Sequence, residues 1–400
     1  MNKSYLMDTY NPIDTTIVKG SGPWVWNSNG KRLLDTSSGI AVVNLGHSHK
    51  KINKAIKEQI KKITHTANTV NTIPKNILAK KLSKYSGMDN VFFCNSGAEA
   101  VETALKMVRR YCQRNKINTF KIISMKKAFH GRTLYSLSAA KNPTQENLYS
   151  PLIPEFIQCT FNNIDEIKNI IQANTDISAI LLEPIQGEGG VFPFEKGYLK
   201  AIRKICDKHN IIMILDEVQS GMGRSGKLFA YQYEDIYPDI LILAKGLGNG
   251  FPIGACLAKG KYSEIFSPGD HGSTFGGSPL ACVIGIKVLD IMSSNNFYKN
   301  ISDTSEYLIT GLKSKLSHLN CVHEIRGMGL LIGIELKENC TFLKDTALNY
   351  GLIINITRNK IIRLSPPLII KKRHCNIIIN SLYVMLTSSF PNKNSDNGTL

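Results

Sequence analysis

The stretch IIMILDEVQSGMGRSG, residues 211–226, decides the fold class of this 400-residue chain. Its first five residues are apolar, which is typical of a strand that is buried on both faces of a parallel sheet. Two similar runs, AILLEP (residues 179–184) and DILILAKG (residues 239–246), lie on either side of it, and the amphipathic pattern YLKAIRKICDKHN precedes it. Strands that alternate with helices predict an α/β domain whose mainly parallel sheet is covered on both faces.

The two ends of the chain have a different organisation, with short strands, short helices and several Gly and Pro breaks. We expect residues 1–55 and 290–387 to form a smaller α+β domain, and residues 56–289 to form the large domain. Residues 388–400 have little to bury, so a flexible tail is expected there.

Composition limits the possible functions. The net charge is +18, but the 49 Lys and Arg residues are spread along the chain without a basic, aromatic-rich patch, so nucleic-acid binding is not expected. The nine cysteines include no CxxC pair, which argues against a disulfide framework or a zinc ribbon and favours a reducing compartment. The first residues lack the basic start and the apolar stretch of a signal peptide, and no apolar run approaches membrane-spanning length, so neither a leader nor a membrane span is expected. We therefore expect a cytoplasmic protein without a metal site.

Two charged residues follow buried strands, where parallel sheets place their ligand sites. Asp216 is costly to bury without a cationic partner, and the protonated ring nitrogen of a cofactor would supply one. Lys245 would become a nucleophile if burial lowered the pKa of its amine. A solvated lysine at a strand end is the simpler interpretation, but Gly246, Gly248 and Gly250 suggest that a large, rigid group occupies the space nearby.

Four other glycine-containing stretches carry polar side chains suited to a ligand site. In CNSGAEAVETALK, Ser96 and Glu99 form an S-x-x-E capping box, which is either a helix cap alone or an anion site at a helix N-terminus. The remaining candidates are Phe129 and Arg132 in AFHGRT, Glu183 and Glu188 in LLEPIQGEGGV, and Ser273 and Thr274 in HGSTFGGSPLA. Each stretch could be an ordinary polar loop without a ligand, but together they predict one site.

Six stretches of the chain resemble, in order and spacing, the motifs of the class III pyridoxal-phosphate-dependent aminotransferases of fold type I. They are NSGAEA, AFHGRT, LEPIQGEGGV, DEVQSGMGR, AKGLGNGFPIGA and HGSTFGGSPLAC. The resemblance covers nearly the whole chain. It implies a large domain with a mainly parallel seven-stranded sheet flanked by helices, a smaller domain formed by both chain ends, and pyridoxal 5'-phosphate as the cofactor.

The resemblance also implies roles for individual residues around the cofactor. Lys245 would be covalently joined to it and would move the substrate proton, and Asp216 would hold the ring nitrogen protonated. Gln219 would bond the ring hydroxyl, while Val218 and Phe129 would pack on opposite faces of the ring.

The phosphate group of the cofactor would lie at the start of a helix. Gly97 and Ala98 would bind it through their backbone N–H groups, with help from Ser96. Thr274 resembles the residue that reaches the phosphate in the neighbouring subunit, so the resemblance implies a homodimer.

Two arginines would bind the carboxylates of two different substrates. Arg132, with Ser273 beside it, would bind the α-carboxylate of an acylated ornithine, and Arg363 in IIRLSPPL would bind the α-carboxylate of glutamate or 2-oxoglutarate. Glu188 resembles the acid that pairs with Arg363 in one half-reaction and moves aside in the other.

One aligned position concerns the choice of amino donor. Ile40 stands where ornithine aminotransferases have a tyrosine that contacts the α-amino group, and an apolar residue leaves room for an acylated nitrogen. The resemblance therefore implies transfer of the terminal amino group of N2-acetyl-L-ornithine to 2-oxoglutarate, with N-succinyl-diaminopimelate as a further donor. A simpler interpretation is that Ile40 is a core residue with no role in substrate choice. Ornithine and 4-aminobutyrate remain alternative donors.

Two other classes of function remain at this point. The formal G-x-G-x-x-G in GMGRSG would suit a dinucleotide-binding dehydrogenase, although five residues separate it from the strand and KLFAYQYE is a poor start for the required helix. A binding protein that uses the fold without turnover is the other class.

Overall fold

A computed structural model describes residues 5–391 except 118, 142 and 295. Its strands are β1 Ile17–Ser21, β2 Trp24–Asn27, β3 Arg32–Asp35, β4 Asn90–Cys94, β5 Lys121–Met125, β6 Phe156–Cys159, β7 Ile177–Leu182, β8 Ile185–Gln186, β9 Phe192–Pro193, β10 Ile212–Asp216, β11 Ile240–Leu243, β12 Gly254–Ala258, β13 Val322–Met328, β14 Leu331–Leu336, β15 Leu352–Ile353, β16 Asn355–Thr357 and β17 Ile361–Leu364.

Most of the helices surround these strands, and several short turns connect them. The helical segments are α1 Ser38–Ala41, α2 Lys50–Ile60, α3 Ile73–Ser86, α4 Gly97–Arg114, α5 Leu134–Ala140, α6 Pro143–Tyr149, α7 Ile164–Ala173, α8 Tyr198–His209, α9 Pro279–Met292, α10 Phe297–Leu316, α11 Leu343–Asn349 and α12 Lys372–Ser389. Three-residue or four-residue 3₁₀ turns lie at Ala230–Tyr233, Lys245–Leu247 and Gly260–Tyr262.

The central sheet has seven strands in the order β4-β12-β11-β10-β7-β5-β6. β10 pairs in parallel with both β7 and β11, and β12 is antiparallel to its two neighbours, β11 and β4. Every residue of β7, β10, β11 and β12 is buried, because helices cover both faces of the sheet. The predicted fold class, a mainly parallel seven-stranded sheet flanked by helices, is confirmed.

Two smaller sheets contain the ends of the chain. One has the order β1-β2-β3-β15, in which Leu34 of β3 pairs in parallel with Leu352 of β15, and so it joins the N-terminal and C-terminal segments. The other is antiparallel, with the order β13-β14-β17-β16. The predicted domain boundaries at 55 and 289 both fall inside helices, α2 and α9, which pack against each other. The division into two domains stays a prediction.

The predicted start of the tail at residue 388 is wrong by a few residues. α12 extends to Ser389, and the ring of Phe390 packs 5.8 Å from the ring of Phe342, which buries part of its apolar surface. Residues 392–400 lie outside the described residues.

No single helix in the described ranges is long and apolar enough to cross a membrane. The pair α9 and α10 together reach that length and composition, but the two helices are bent by 73° relative to each other, and α9 has eight buried residues.

Candidate active site

A cavity of about 450 Å³ lies at the carboxyl edge of the central sheet. It forms where β10 and β11 end beside the N-terminus of α4, because the carboxyl ends of parallel strands meet at one edge. The residues that line it include many that the sequence predicts for the site: Ser96, Gly97, Ala98, Phe129, Arg132, Glu183, Asp216, Val218, Gln219 and Lys245.

Asp216, the last residue of β10, is 4% exposed and held by two hydrogen bonds. Its Oδ2 lies 2.8 Å from Nδ1 of the buried His130, and its Oδ1 accepts from the N–H of Val218 at 3.0 Å. Burial alone would lower the pKa of His130, but the hydrogen bond to Asp216 and the negative charges of Asp216 and Glu183 outweigh it and raise that pKa. The contact with His130 and the bond from the Val218 N–H fix the orientation of the Asp216 carboxylate.

His130 is a residue that the sequence reasoning missed. It lies inside the motif AFHGRT, but nothing in the sequence pairs it with Asp216, which is 86 positions away. Its Nε2 is buried and has no hydrogen-bond partner among the described residues. The available signal was its place between two predicted site residues, Phe129 and Arg132.

Glu183 lies behind Phe129, just after β7, and lines the same cavity. Its Oε1 accepts from the N–H of Phe129 at 2.9 Å. Burial, together with the charge of Asp216, raises the pKa of Glu183 to about 7, against the opposing effects of His130 and the Phe129 N–H. This carboxyl group therefore carries a proton over part of the neutral pH range.

Lys245 lies two residues beyond the end of β11, in a backbone conformation with φ of +42°. Burial lowers the pKa of its amine, and the positive charge of Arg363 acts in the same direction, while the charges of Glu188, Asp216 and Glu183 oppose the shift. A lysine with a lowered pKa can act as a nucleophile and as a proton carrier near neutral pH.

The glycines after Lys245 do not all make room for a ligand, so that expectation is wrong for two of them. A Cβ on Gly246 would overlap the side-chain amide of Asn44, and a Cβ on Gly248 would overlap the carbonyl of Phe251. These glycines permit close packing within the protein. Gly250, with φ of +106°, has no heavy atom within 4 Å of its Cβ position and lines the cavity.

The N-terminus of α4 points at the cavity, but the predicted capping box is only half formed, because the Glu99 carboxylate accepts from the N–H of Asn95 at 2.9 Å. The Ser96 hydroxyl accepts from the N–H of Glu99 at 3.2 Å and donates to the Glu99 carboxylate at 3.0 Å. The first-turn N–H groups of Gly97 and Ala98 have no partner within the helix, and both residues line the cavity, an arrangement that suits an anion. A Cβ on Gly97 would lie 2.9 Å from Val218, so only glycine fits here without a shift of its neighbour.

Arg132 is exposed at the mouth of the cavity, and its guanidinium carbon lies 5.1 Å from the centre of the Phe129 ring. Such a cation–π contact holds the guanidinium near the aromatic ring while leaving its N–H groups available to a ligand. The arrangement leaves Arg132 able to bind a carboxylate that enters from the solvent.

Arg363, in β17, is 1% exposed and lies behind the cavity. Its Nη1 donates to Glu188 Oε1 at 2.6 Å and to Gln219 Oε1 at 3.2 Å, and its Nη2 donates to Asn355 Oδ1 at 2.7 Å. Burial would raise the pKa of Glu188, but the charges of Arg363 and Lys245 outweigh it and lower that pKa. A Cβ on Gly187 would overlap the Gln219 amide, which explains the glycine before Glu188.

Within this chain, Ser273 does not line the cavity that Arg132 lines, and its place beside Arg132 stays a prediction. The Ser273 hydroxyl accepts from Asn95 Nδ2 at 3.1 Å and lies 3.4 Å from the Glu99 carboxylate. With the exposed Thr274, it lines a second cavity of about 560 Å³. Asn95 lines the first cavity and bonds Ser273 in the second, so it connects the two.

Ile40 is 38% exposed, so the interpretation as a core residue is wrong. It does not line the cavity described above, whereas Val42 does. Ile40 belongs to α1, whose four residues all have φ between 45° and 64° and therefore form one left-handed turn. Asp35 holds this turn, because its Oδ1 accepts from the N–H of Ser38 at 2.8 Å.

The motif GMGRSG forms a turn that contacts other parts of the chain and is not followed by an α-helix. Arg224 is fully buried and donates to the carbonyls of Leu330 at 2.9 Å and Pro366 at 2.6 Å. The next element is the 3₁₀ turn Ala230–Tyr233. A dinucleotide site needs a helix that begins directly after the glycines, so the dehydrogenase alternative is wrong.

Comparison with known proteins identifies the family. The model for class-III aminotransferases matches residues 5–386. The acetylornithine aminotransferase of Nitrosomonas europaea is 41% identical over 385 residues, covering 96% of this chain and 98% of that protein. The chain therefore belongs to the class-III aminotransferase family, as its motifs predicted.

Solved structures of two related enzymes share the fold. The ornithine aminotransferase of Toxoplasma gondii superposes with a TM-score of 0.92 at 28% identity, covering 96% of this chain and 93% of that chain. The acetylornithine aminotransferase of Elizabethkingia anophelis gives a TM-score of 0.86 at 32% identity, covering 96% of each chain. These similarities confirm the predicted fold type.

Proposed function

We propose that this protein transfers the terminal amino group of N2-acetyl-L-ornithine to 2-oxoglutarate with the help of pyridoxal 5'-phosphate. The products are N-acetyl-L-glutamate 5-semialdehyde and L-glutamate. The observation that carries the proposal is the convergence of Lys245, Asp216 and the α4 N-terminus on one cavity, with Arg363 held behind it.

The residues present fit this cofactor. A protonated pyridine nitrogen would find an acidic partner in Asp216, and a phosphate at Gly97 and Ala98 would find free N–H donors at a helix N-terminus. The Val218 and Phe129 side chains line the space between these two ends. When bound, the cofactor supplies an electron sink for the carbanion that aminotransfer requires.

Lys245 carries the proton in the reaction. Its Nζ is the only amine that lines the cavity among the described residues, and burial lowers its pKa toward the range in which a neutral amine accepts a proton. His130 holds the Asp216 carboxylate in place, because its Nδ1 lies 2.8 Å from Oδ2. Glu183 bonds the Phe129 N–H and so fixes the backbone beside the ring position.

The two substrates differ in how many carboxylates they present. An acylated ornithine has one, which Arg132 at the cavity mouth would bind. Glutamate and 2-oxoglutarate have two, and Arg363 would bind the α-carboxylate once Glu188 turns away. When Glu188 stays paired with Arg363, the buried positive charge is neutralised and a neutral substrate tail can approach.

Sequence similarity to acetylornithine aminotransferases such as the Nitrosomonas europaea enzyme supports the acylated donor, together with Ile40 at the position that would otherwise hold a tyrosine. Ornithine and 4-aminobutyrate are the alternative donors, and structural similarity to an ornithine aminotransferase favours the first of them. N-succinyl-diaminopimelate carries the same kind of acylated head and is a further candidate.

We also propose a cytoplasmic homodimer. Thr274 is exposed beside the second cavity, where it would be available to the cofactor phosphate of a partner subunit. All nine cysteines lie in the described part of the chain and none is paired with another, which supports a reducing compartment.

The test compares amino donors with the cofactor-loaded protein and 2-oxoglutarate as acceptor. We expect kcat/KM for N2-acetylornithine to exceed that for ornithine or 4-aminobutyrate by at least about a hundredfold. A pocket that accepts an acyl group offers no hydrogen-bond partner to a free α-amine, so ornithine would bind poorly. Comparable values for free ornithine would contradict the choice of donor. Purified protein that stays colourless after reconstitution, without a borohydride-stable adduct on Lys245, would contradict the aminotransferase itself.

A further inference from the structure

The short strand β16 contacts both members of the Arg363–Glu188 pair. Asn355 Oδ1 accepts from Arg363 Nη2 at 2.7 Å, and the Thr357 hydroxyl donates to the backbone carbonyl of Glu188 at 2.5 Å. Asn355 and Thr357 are alternate residues of one strand, so their side chains point to the same face. One strand therefore fixes both the guanidinium of Arg363 and the backbone of Glu188, whose carboxylate pairs with that guanidinium.

The turn that carries Glu188 is fixed at a second point. Arg326 Nη2 donates to the carbonyl of Gly190 at 2.7 Å, and its Nε donates to the carbonyl of Val191 at 3.1 Å. Arg326 is itself paired with Glu335 of β14 at 2.8 Å. Because the turn is bonded to the sheet that contains β16 at Glu188 itself and again at Gly190 and Val191, the carboxylate can leave Arg363 by side-chain rotation without movement of the loop.

We propose that Asn355 and Thr357 are positioning residues that set the balance between the two carboxylate partners of Arg363, and so between the two substrates; this inference rests on the proposed function. Thr357 holds Glu188 where it competes with the α-carboxylate of an incoming dicarboxylate. Asn355 holds Nη2 of the guanidinium, which Glu188 does not contact and which a carboxylate bound by two parallel hydrogen bonds needs, so it favours the dicarboxylate.

The two residues therefore have opposite effects on dicarboxylate binding. Loss of the Thr357 hydroxyl loosens Glu188 and weakens the competing pair, so a dicarboxylate binds more tightly. Loss of the Asn355 amide leaves Arg363 poorly oriented, so a dicarboxylate binds more weakly. Each change removes one hydrogen bond, and we expect a threefold to tenfold effect, about the range of one such bond.

The experiment measures binding of glutarate, an unreactive dicarboxylate, to the cofactor-loaded enzyme by calorimetry, together with kcat/KM for N2-acetylornithine. We expect Thr357→Val to lower the glutarate Kd about threefold to tenfold and to lower kcat/KM for N2-acetylornithine by a similar factor. Asn355→Ala should raise the glutarate Kd, and Thr357→Ser should restore the wild-type Kd. The control is Thr346→Val, which removes a hydroxyl bonded to the Phe342 carbonyl within a helix and should leave both values unchanged.

Changes of the same sign in Thr357→Val and Asn355→Ala, or no change in either, would overturn the proposal, because a purely structural role would affect both variants alike. Thr357→Ala gives the same readout if Thr357→Val does not fold. The proposed function fails separately: a wild-type enzyme that does not use N2-acetylornithine, but whose glutarate Kd shifts in opposite directions in the two variants, would disprove the donor and keep the positioning roles.

Discussion

At the scale of single residues, the buried carboxyl group of Glu183 gives the site a dependence on pH. Its pKa in the folded protein is about 7, mainly because of burial, while an unfolded glutamate titrates near 4.5. The folded state therefore binds the proton more tightly, and the free energy of unfolding falls as the pH rises from about 4.5 to about 7.

Glu183→Gln should remove that dependence while it keeps an oxygen for the Phe129 N–H. We expect the variant to gain stability relative to the wild type as the pH rises from 4.5 to 7.5, by an amount on the order of 1–3 kcal/mol. Thermal unfolding of the cofactor-free proteins across this range measures the difference. Glu58→Gln, on an exposed face of α2, is the control, and a constant difference between Glu183→Gln and wild type at all pH values would refute the prediction.

Some residues of the site could be predicted from the sequence because their chemistry conflicts with their surroundings. Asp216 and Lys245 each follow a run of buried apolar residues, and a strand that ends in a charge at the carboxyl edge of a parallel sheet indicates a ligand site. His130, Asn355 and Thr357 could not be found in this way, because their roles depend on partners that only the folded chain brings near.

At the scale of elements, the left-handed turn Ser38–Ala41 is a strained segment near the site. A non-glycine residue in this conformation costs about 1–2 kcal/mol, and the branched Ile40 fits it poorly. The turn persists because Asp35 accepts from the Ser38 N–H and the Ser38 hydroxyl donates to the carbonyl of Ser365 at 2.5 Å. Strain of this kind is common where a backbone must present a particular surface to a ligand.

Two matched substitutions measure this strain. Ile40 in the turn is 38% exposed, and Ile77 in the interior of α3 is 41% exposed, so each loses a similar amount of apolar contact when changed to glycine. We expect Ile77→Gly to lower the free energy of unfolding by about 1–2 kcal/mol more than Ile40→Gly does. The reason is that glycine is unfavourable in a helix and favourable at positive φ. Equal losses in urea unfolding would show that the turn is unstrained.

The elements themselves were predicted unevenly. The buried strands β7, β10 and β11 and the helix α8 follow from apolar runs and from helical periodicity. The left-handed turn could not be predicted, since SSGIA contains only one glycine and tertiary bonds from Asp35 override the local preference of the other residues. The bond between the Ser273 hydroxyl and Asn95, 178 positions away, could not be predicted either, because only the folded chain brings these residues together.

At the scale of the whole molecule, the proposed dimer makes a prediction about the loop after Thr274. Phe275 is 61% exposed and its ring lies 5.1 Å from the ring of His65, so it presents an apolar surface beside the second cavity. Phe275→Asp should dissociate the dimer into 44.4 kDa monomers and weaken cofactor binding about tenfold, since Thr274 would no longer reach the partner's phosphate.

Light scattering and cofactor titration measure the two effects. Phe342→Asp, at a 48% exposed phenylalanine in the C-terminal part of the chain, is the matched control and should remain dimeric with unchanged cofactor affinity. A Phe275→Asp protein that keeps the mass of a dimer would refute this surface as the interface.

The pairing of β3 with β15 has a consequence for how the chain is made. Thr36 bonds the carbonyl of Ile353 through its hydroxyl, and these residues are 317 positions apart. During synthesis, the strands of the central sheet leave the ribosome in time to pair with one another, but β3 has no β15 beside it until almost the entire chain has emerged. Long-range pairings of this kind are slow to form. We therefore expect the nascent protein to assemble the cavity with Asp216 and Lys245 first, and to acquire Arg363, and with it the ability to hold a second carboxylate, only at the end of translation.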